Sequence, residues 1–261
     1  MDFDSFNNIK WDVIKQKLNS AKTVKSTRRN DGVYYDISVS FDTETTSMYC
    51  GEPKEKFSFM YVWQFGIDGY YCYGRHWSEF IKLLLKLKEY GKLSTERKLI
   101  IYIHNLSFEF QFFRKLIPWN SVFAVDNREP VKALSDWGVE FRDSLILSGY
   151  KLANVAKNLT SHKIPKMVGD LDYSKIRNTK TTFTDKELGY MLNDVRILIA
   201  YIDEQREQYG DITHIPLTNT GRVRQLVRKN CFGKTWNTRS KYLEIMNVLQ
   251  LSKSDYIESK K

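Results

Sequence analysis

Three short stretches of this chain carry side chains that could do chemistry together. In Val39-Ser-Phe-Asp-Thr-Glu-Thr-Thr46 an apolar run leads into Asp42, and Glu44 follows two residues later. Residues two apart on a strand emerge on one face. A strand here therefore predicts two carboxylates side by side, with Phe41 and Thr43 turned the other way. Carboxylates that close repel each other, and an oxygen-ligated divalent cation is the usual remedy. A single acid pair is most often a solvated strand end, so the reading depends on partners elsewhere in the chain.

The second stretch is Ile101-Tyr-Ile-His-Asn-Leu-Ser-Phe-Glu-Phe-Gln-Phe-Phe113. It reads as a buried strand ending at His104-Asn105, followed by a helix that starts near Ser107. With Ser107 as N-cap, Glu109 falls in the first turn, where the helix dipole favours a carboxylate whatever its role. Phe108 and Phe112 are four apart and share a face, either as core or as a platform on which bases stack. In the third stretch, Thr184 and Glu187 form a capping box opening a helix whose apolar stripe is Leu188, Leu192, Val195, Ile199 and Ile202. Tyr190 and Asp194 stand one turn apart beside that stripe. By pattern alone they are an ordinary polar edge.

The elements that must position these groups follow from periodicity. Val33–Asp42 predicts one strand, Phe57–Gly66 a second, and Gly69–Tyr73 its hairpin partner across an Asp68-Gly69 turn. His76–Tyr90 switches to helical spacing, and Lys98–Ile103 is a continuous apolar run, the mark of a buried strand. Val131–Leu134 and Val139–Asp143 predict a hairpin around Asp136-Trp137-Gly138, and Tyr150–Leu159 a short helix. Strands covered by helices define an α/β class with a mixed sheet. Residues 1–32 read as a helical arm and basic linker, with Ile9, Val13, Ile14 and Leu18 at helical spacing. Residues 33–208 form the main domain. Residues 209–261 are a basic helical extension, in which Gly221–Lys229 is the clearest helix.

Bulk properties narrow the partners. The formal net charge is +10, which suits a polyanion such as nucleic acid. Three cysteines at unrelated spacings imply neither a disulfide framework nor a zinc site, and fit a reducing compartment. No apolar run approaches the ~18 residues of a membrane span and no signal-peptide core opens the chain, so a cytoplasmic location without membrane attachment is expected.

Taken together, the stretches resemble the three exonuclease motifs of the DEDD superfamily, of the kind with a tyrosine in the third motif. More narrowly they are similar to the 3′→5′ proofreading domain of protein-primed, phage-type family B DNA polymerases. The matching residues are Phe41-Asp42-Thr43-Glu44-Thr45, His104-Asn105-Leu106-Ser107-Phe108-Glu109 and Tyr190-Met-Leu-Asn-Asp194. Asp143-Ser144-Leu145 and Gly169-Asp170-Leu171-Asp172-Tyr173 agree as lesser features. The likeness covers roughly residues 33–208 and implies a ribonuclease H-like fold, a mixed β-sheet flanked by helices.

The resemblance also implies roles. Two Mg2+ (or Mn2+) ions would be held, the first by Asp42, Glu44 and Asp194, the second by Asp42 with help from Glu109. Tyr190 would orient the attacking water, since a phenol with an ordinary pKa near ~10 positions rather than deprotonates. Thr45, His104, Asn105, Phe108 and Phe112 would grip the terminal nucleotides, and Ser144 the phosphate behind them. The substrate would be a single-stranded DNA 3′ end, released as nucleoside monophosphates.

Two residues depart from the family pattern. Glu109 stands where the second motif normally ends in Asp. Val168 occupies the place of the family's catalytic lysine, leaving Lys166 as the nearest substitute. Palm and fingers motifs of a polymerase do not appear before Lys261. The alternatives are a proofreading part of a larger polymerase, a stand-alone phage exonuclease in its host's cytoplasm, or a catalytically weakened subunit. Such a subunit would bind single strands within a split protein-primed polymerase, beside a separate polymerase subunit or terminal protein.

Overall fold

Alternation and turn chemistry place the centre of the fold where the sequence points to it. Glu55–Ile67 and Tyr70–Gly74 pair antiparallel through Asp68-Gly69, both at positive φ (44° and 80°), as a tight hairpin turn with the twist of its strands demands. These relationships come from a computed structural model that describes residues 3–26, 31–52, 55–164, 171–172, 175–232 and 238–248. The chain forms two compact units, Met1–Leu217 and Thr218–Lys261.

The first unit is built on a ten-stranded mixed sheet. In chain order its strands are β1 (Asp4–Ser5), β2 (Thr23–Lys25), β3 (Val33–Tyr35), β4 (Val39–Cys50), β5 (Glu55–Ile67), β6 (Tyr70–Gly74), β7 (Arg97–Ile103), β8 (Trp119–Asp126), β9 (Glu129–Ser135) and β10 (Val139–Asp143). The main path runs β1-β6-β5-β4-β7-β10-β9-β8, and the short β2–β3 pair joins it at β7. β4, β7 and β10 are parallel neighbours, while β5, β6, β9 and β8 extend the sheet antiparallel on either side.

The single strand expected over Val33–Asp42 is two strands. β3 lies beside the start of β7 and β4 beside its end, with Asp36-Ile37-Ser38 between them. Polar anchoring makes the break. Asp36 Oδ1 accepts from Arg206 Nε (2.8 Å) and from the Ile212 amide (3.1 Å), and Ser38 Oγ donates to Asp203 Oδ1 (2.6 Å). β4 also continues past Asp42 to Cys50, and β8 was not foreseen.

Helices cover both faces. On one, α1 (Trp11–Ser20), α2 (Trp77–Gly91) and α3 (Leu106–Phe113) pack on a core that includes Phe41, Phe65, Phe80, Phe113 and Phe141. Ile14 and Leu18, from the segment read as an arm, are fully buried in it. Next come the short α4 (Ser144–Ser148) and α5 (Leu152–Asn158). On the other face lies α6 (Asp185–Tyr209), opened by the expected capping box, with the Thr184 side chain accepting from the Glu187 amide. Its apolar side meets Val62, Ile100 and Tyr102 through Leu192, Val195, Ile197 and Ile202. Gly66 permits the approach: a Cβ there would stand 2.8 Å from Ile199 Cδ1.

The second unit contains α7 (Asn219–Phe232) and α8 (Thr238–Val248). α7 spans the basic helix expected at residues 221–229. Among the described residues no helix is long and apolar enough to cross a membrane.

Candidate active site

β4 delivers the first two acids. Asp42 and Glu44 are opposite Gln64 and Val62 of β5, on the side covered by α6, whereas Phe41 and Thr43 face α2 and α3. The parallel pairing with β7 stops at Phe41, so from Asp42 onward that edge of β4 carries no strand. A bulge on β5 at Tyr61 interrupts the ladder between Glu44 and Thr45, a distortion common beside functional sites.

α6 brings the third acid. Ser40 Oγ donates to the Val195 carbonyl (3.0 Å), tying the helix to β4 one residue beyond Asp194. One ligating oxygen from each of Asp42, Glu44 and Asp194 lies within 4.8 Å of the others. Burial and mutual repulsion raise Asp42 well above the usual carboxylate range, and Glu44 to about 8. For Glu44, after burial itself, the repelling charges are Asp194 and Glu109, opposed by Arg177. Three crowded carboxylates with no softer donor fit a hard divalent cation, which removes the repulsion that otherwise drives protons onto them.

Glu109 sits differently. It is buried on α3 and its Oε2 accepts a hydrogen bond from the Thr43 hydroxyl, outside the group of three. Burial raises it to about 8, and bonds from Thr43 counter that rise. Its charge still reaches Asp42 and Glu44.

The N-cap of α3 is Asn105, not Ser107. Asn105 adopts the left-handed conformation that asparagine tolerates, and its Oδ1 accepts from Ser107 Oγ at 2.7 Å. The end of the helix is satisfied from β10: Asp143 Oδ2 accepts from the Leu106 amide (2.7 Å) and Oδ1 from the Ile146 amide (2.8 Å). One carboxylate therefore caps both α3 and α4.

The other expected site residues are distributed as follows. Ser144 is fully buried, and its Oγ donates to the Ile103 carbonyl (3.2 Å) and lies 3.0 Å from His104 Nδ1. With that hydroxyl hydrogen committed, Nδ1–H donates to Ser144. Burial pushes His104 down to about 4, so its ring is neutral at pH 7. Phe108 is 44% exposed and meets the half-buried Phe112 edge to face, with centroids 5.2 Å apart. Thr45 is half-buried at the bulge, and Tyr190 is half-buried one turn before Asp194. Lys166 lies outside the described residues.

Three contributors escaped the sequence reading. Fully buried Gln64, the cross-strand partner of Asp42, faces two acceptors, Asp42 O and Oδ2, and with its NH2 turned toward them it donates at 3.1 and 3.3 Å. A lone glutamine inside the apolar run Met60–Ile67 is the signal that could have found it. Ser40, which docks α6, looks like any serine in a strand. Arg177 donates to the Asp172 carbonyl (2.6 Å) and to Glu187 Oε1 (2.7 Å), and its amide donates to Thr46 Oγ1 (3.2 Å). It thereby links β4 to the capping box of α6, and nothing local marks it.

No protein-family model matches the chain, and no curated protein matches it significantly. Among solved structures, phi29 DNA polymerase complexed with single-stranded DNA matches with a TM-score of 0.58 and 19% identity over 76% of this chain and 35% of the polymerase. The same polymerase with primer-template DNA and incoming nucleotides gives 0.55 and 18% over the same shares. The catalytic core of RRP6 from Trypanosoma brucei gives 0.44 and 11%, over 89% of this chain and 56% of that one. The chain thus spans about a third of the length of the phage polymerase it matches. The chain therefore shares the fold of the matched part of phi29 DNA polymerase, a mixed sheet flanked by helices.

Proposed function

We propose that the chain is a metal-dependent 3′→5′ exonuclease that shortens single-stranded DNA to nucleoside monophosphates, as the proofreading part of a phage-type family B DNA polymerase. The convergence of half-buried Asp42, buried Glu44 and half-buried Asp194 from β4 and α6 at one point of this fold carries the reading. A net charge of +10 supports a polyanionic substrate. The likeness to phi29 DNA polymerase, solved with single-stranded and with primer-template DNA, supports the choice of DNA and the polymerase setting.

Asp42, Glu44 and Asp194 would hold one Mg2+ or Mn2+, and Asp42 with Glu109 a second. Such ions, when bound, activate water and neutralise charge on the leaving 3′ oxygen. The protein's own groups do the rest. Tyr190, one turn before Asp194, positions the attacking water by hydrogen bond. Phe108 and Phe112 stack the terminal bases, a contact that tolerates any sequence. Asn105 and Thr45 hold the terminal nucleotide, and neutral His104, with Ser144 fixing its tautomer, presents a ring that does not compete for cations as a charge. Lys166 is the proposed cation for the scissile phosphate.

A 5′-labelled oligonucleotide incubated with Mg2+ or Mn2+ tests this. The expected result is a ladder receding from the 3′ end, with mononucleotide product, lost in a variant carrying Asp42→Ala and Glu44→Ala. Wild type that degrades the label no faster than that variant ends the enzyme reading.

A further inference from the structure

β4 and β5 run on together well past the acids. β7 accompanies β4 only to Phe41, and β6 accompanies β5 only to Trp63, but the two strands stay paired out to Cys50 and Glu55. The outer part is a two-stranded ribbon with no strand on either edge among the described residues, an arrangement that is marginal in water unless something grips it. Its two sides differ. Thr46 is covered by the segment 175–177, with its hydroxyl 3.4 Å from the Lys175 carbonyl. The side it belongs to ends in the cross-strand pair Cys50 and Glu55.

The opposite side carries on from Thr43, whose hydroxyl holds Glu109. Along it lie Thr45, then the facing pair Ser47 and Ser58 with hydroxyls 2.7 Å apart, then the facing pair Tyr49 and Lys56. All four beyond Thr45 are exposed, Tyr49 to 65%. Hydroxyls, an aromatic face and an ammonium in a row are the groups that bind a single strand: donors and a cation for phosphates, a ring for bases. At ~3.3 Å per residue, Thr45 to Tyr49 spans roughly 13 Å, room for a few nucleotides of single strand.

We propose that this side of the β4–β5 ribbon is a rail for the single-stranded DNA upstream of the 3′ end, with Tyr49 stacking a base and Lys56 meeting a phosphate a few nucleotides upstream of those held at the terminus. The proposal rests on the exonuclease reading above. The rail extends the site without touching the reacting end, so it acts on affinity for long strands only.

Fluorescence anisotropy with (dT)12 and competition with (dT)3, in EDTA so that no cation-dependent cleavage runs, tests it independently of cleavage. Tyr49→Ser should weaken (dT)12 about tenfold and leave (dT)3 unchanged. Tyr49→Trp should bind (dT)12 as wild type does, which separates loss of a ring from loss of fold. Lys56→Gln should make the slope of log affinity against log salt shallower by ~0.7, the value for one phosphate on a single strand. Unchanged (dT)12 affinity in Tyr49→Ser, or equal weakening of both oligonucleotides, overturns the proposal. So does a wild-type dimer that Tyr49→Ser dissolves, because the ribbon would then be an interface between copies. Failure of the cleavage assay with these binding results intact would remove the enzyme reading and leave the rail.

Discussion

The Thr43 hydroxyl donates to the Glu109 carboxylate, so the residue between the two acids of β4 holds the acid of α3. Glu109 lies outside the group formed by Asp42, Glu44 and Asp194, although its charge reaches Asp42 and Glu44. Glu109→Asp is expected to keep activity, and Glu109→Ala to lose it by on the order of 100-fold, a several-kcal/mol loss of charge stabilisation. Single-turnover cleavage measures this, and equal rates for all three proteins would exclude Glu109 from the chemistry. Thr43→Val removes the tether and leaves a buried carboxylate short of a donor, which should destabilise the protein by ~1–3 kcal/mol.

Stability should depend on pH and cation together. Glu44 and Glu109 both rise from 4.5 to about 8 in the folded protein. The folded state therefore binds more protons than the unfolded state between those values. Through these two groups, metal-free stability falls as pH climbs from about 4.5 to about 8. Melting in EDTA should show a Tm at least ~5 °C lower at pH 8 than at pH 5. Mg2+ or Mn2+ should restore most of that at pH 8 and little at pH 5. A Tm indifferent to both would mean the acids do not crowd one another.

Asp143 supports two helices with one side chain. Two caps at ~1 kcal/mol each put the cost of Asp143→Ala near ~2 kcal/mol, or roughly 4–8 °C in Tm. Activity should fall as well, because α3 carries Glu109. Asp143→Asn, which keeps an acceptor, should lose less of both. Thermal melts and cleavage rates on the three proteins check this.

Phe108 and Phe113 separate surface from core on the same helix. Phe113 is fully buried against Phe41, Phe80 and Phe141, and Phe113→Ala should cost ~3–5 kcal/mol. Phe108→Ala should move Tm by less than ~1 °C while raising KM for single-stranded DNA by roughly tenfold, the loss of one stacked base. A Phe108→Ala protein with unaltered KM would mean that no base rests there.

Much of the site was legible because its parts are local. Asp42 and Glu44 at i and i+2, Tyr190 and Asp194 at i and i+4, the Thr184 capping box and the Asp68-Gly69 hairpin are set within a few residues by strand or helix geometry. What was misread turned on distant partners. Ser107 has the chemistry of an N-cap, but Asp143 supplies the acceptor from β10 and lets Asn105 take the cap position. Val33–Asp42 has the pattern of one strand, but Arg206 and Asp203 of α6 pin Asp36 and Ser38 and split it.

The sequence by itself determined which residues are acids, which face of each element they take, and in what order the elements come. Only the tertiary structure decided that they meet. The parallel pairing of β4 with β7 joins residues 62 positions apart, and the docking of α6 through Ser40 and Gly66 joins residues more than a hundred apart. No local pattern encodes such contacts, because their free energy comes from burying faces whose partners lie elsewhere in the chain. The same long-range packing set Glu109 against Thr43 instead of among the other three acids.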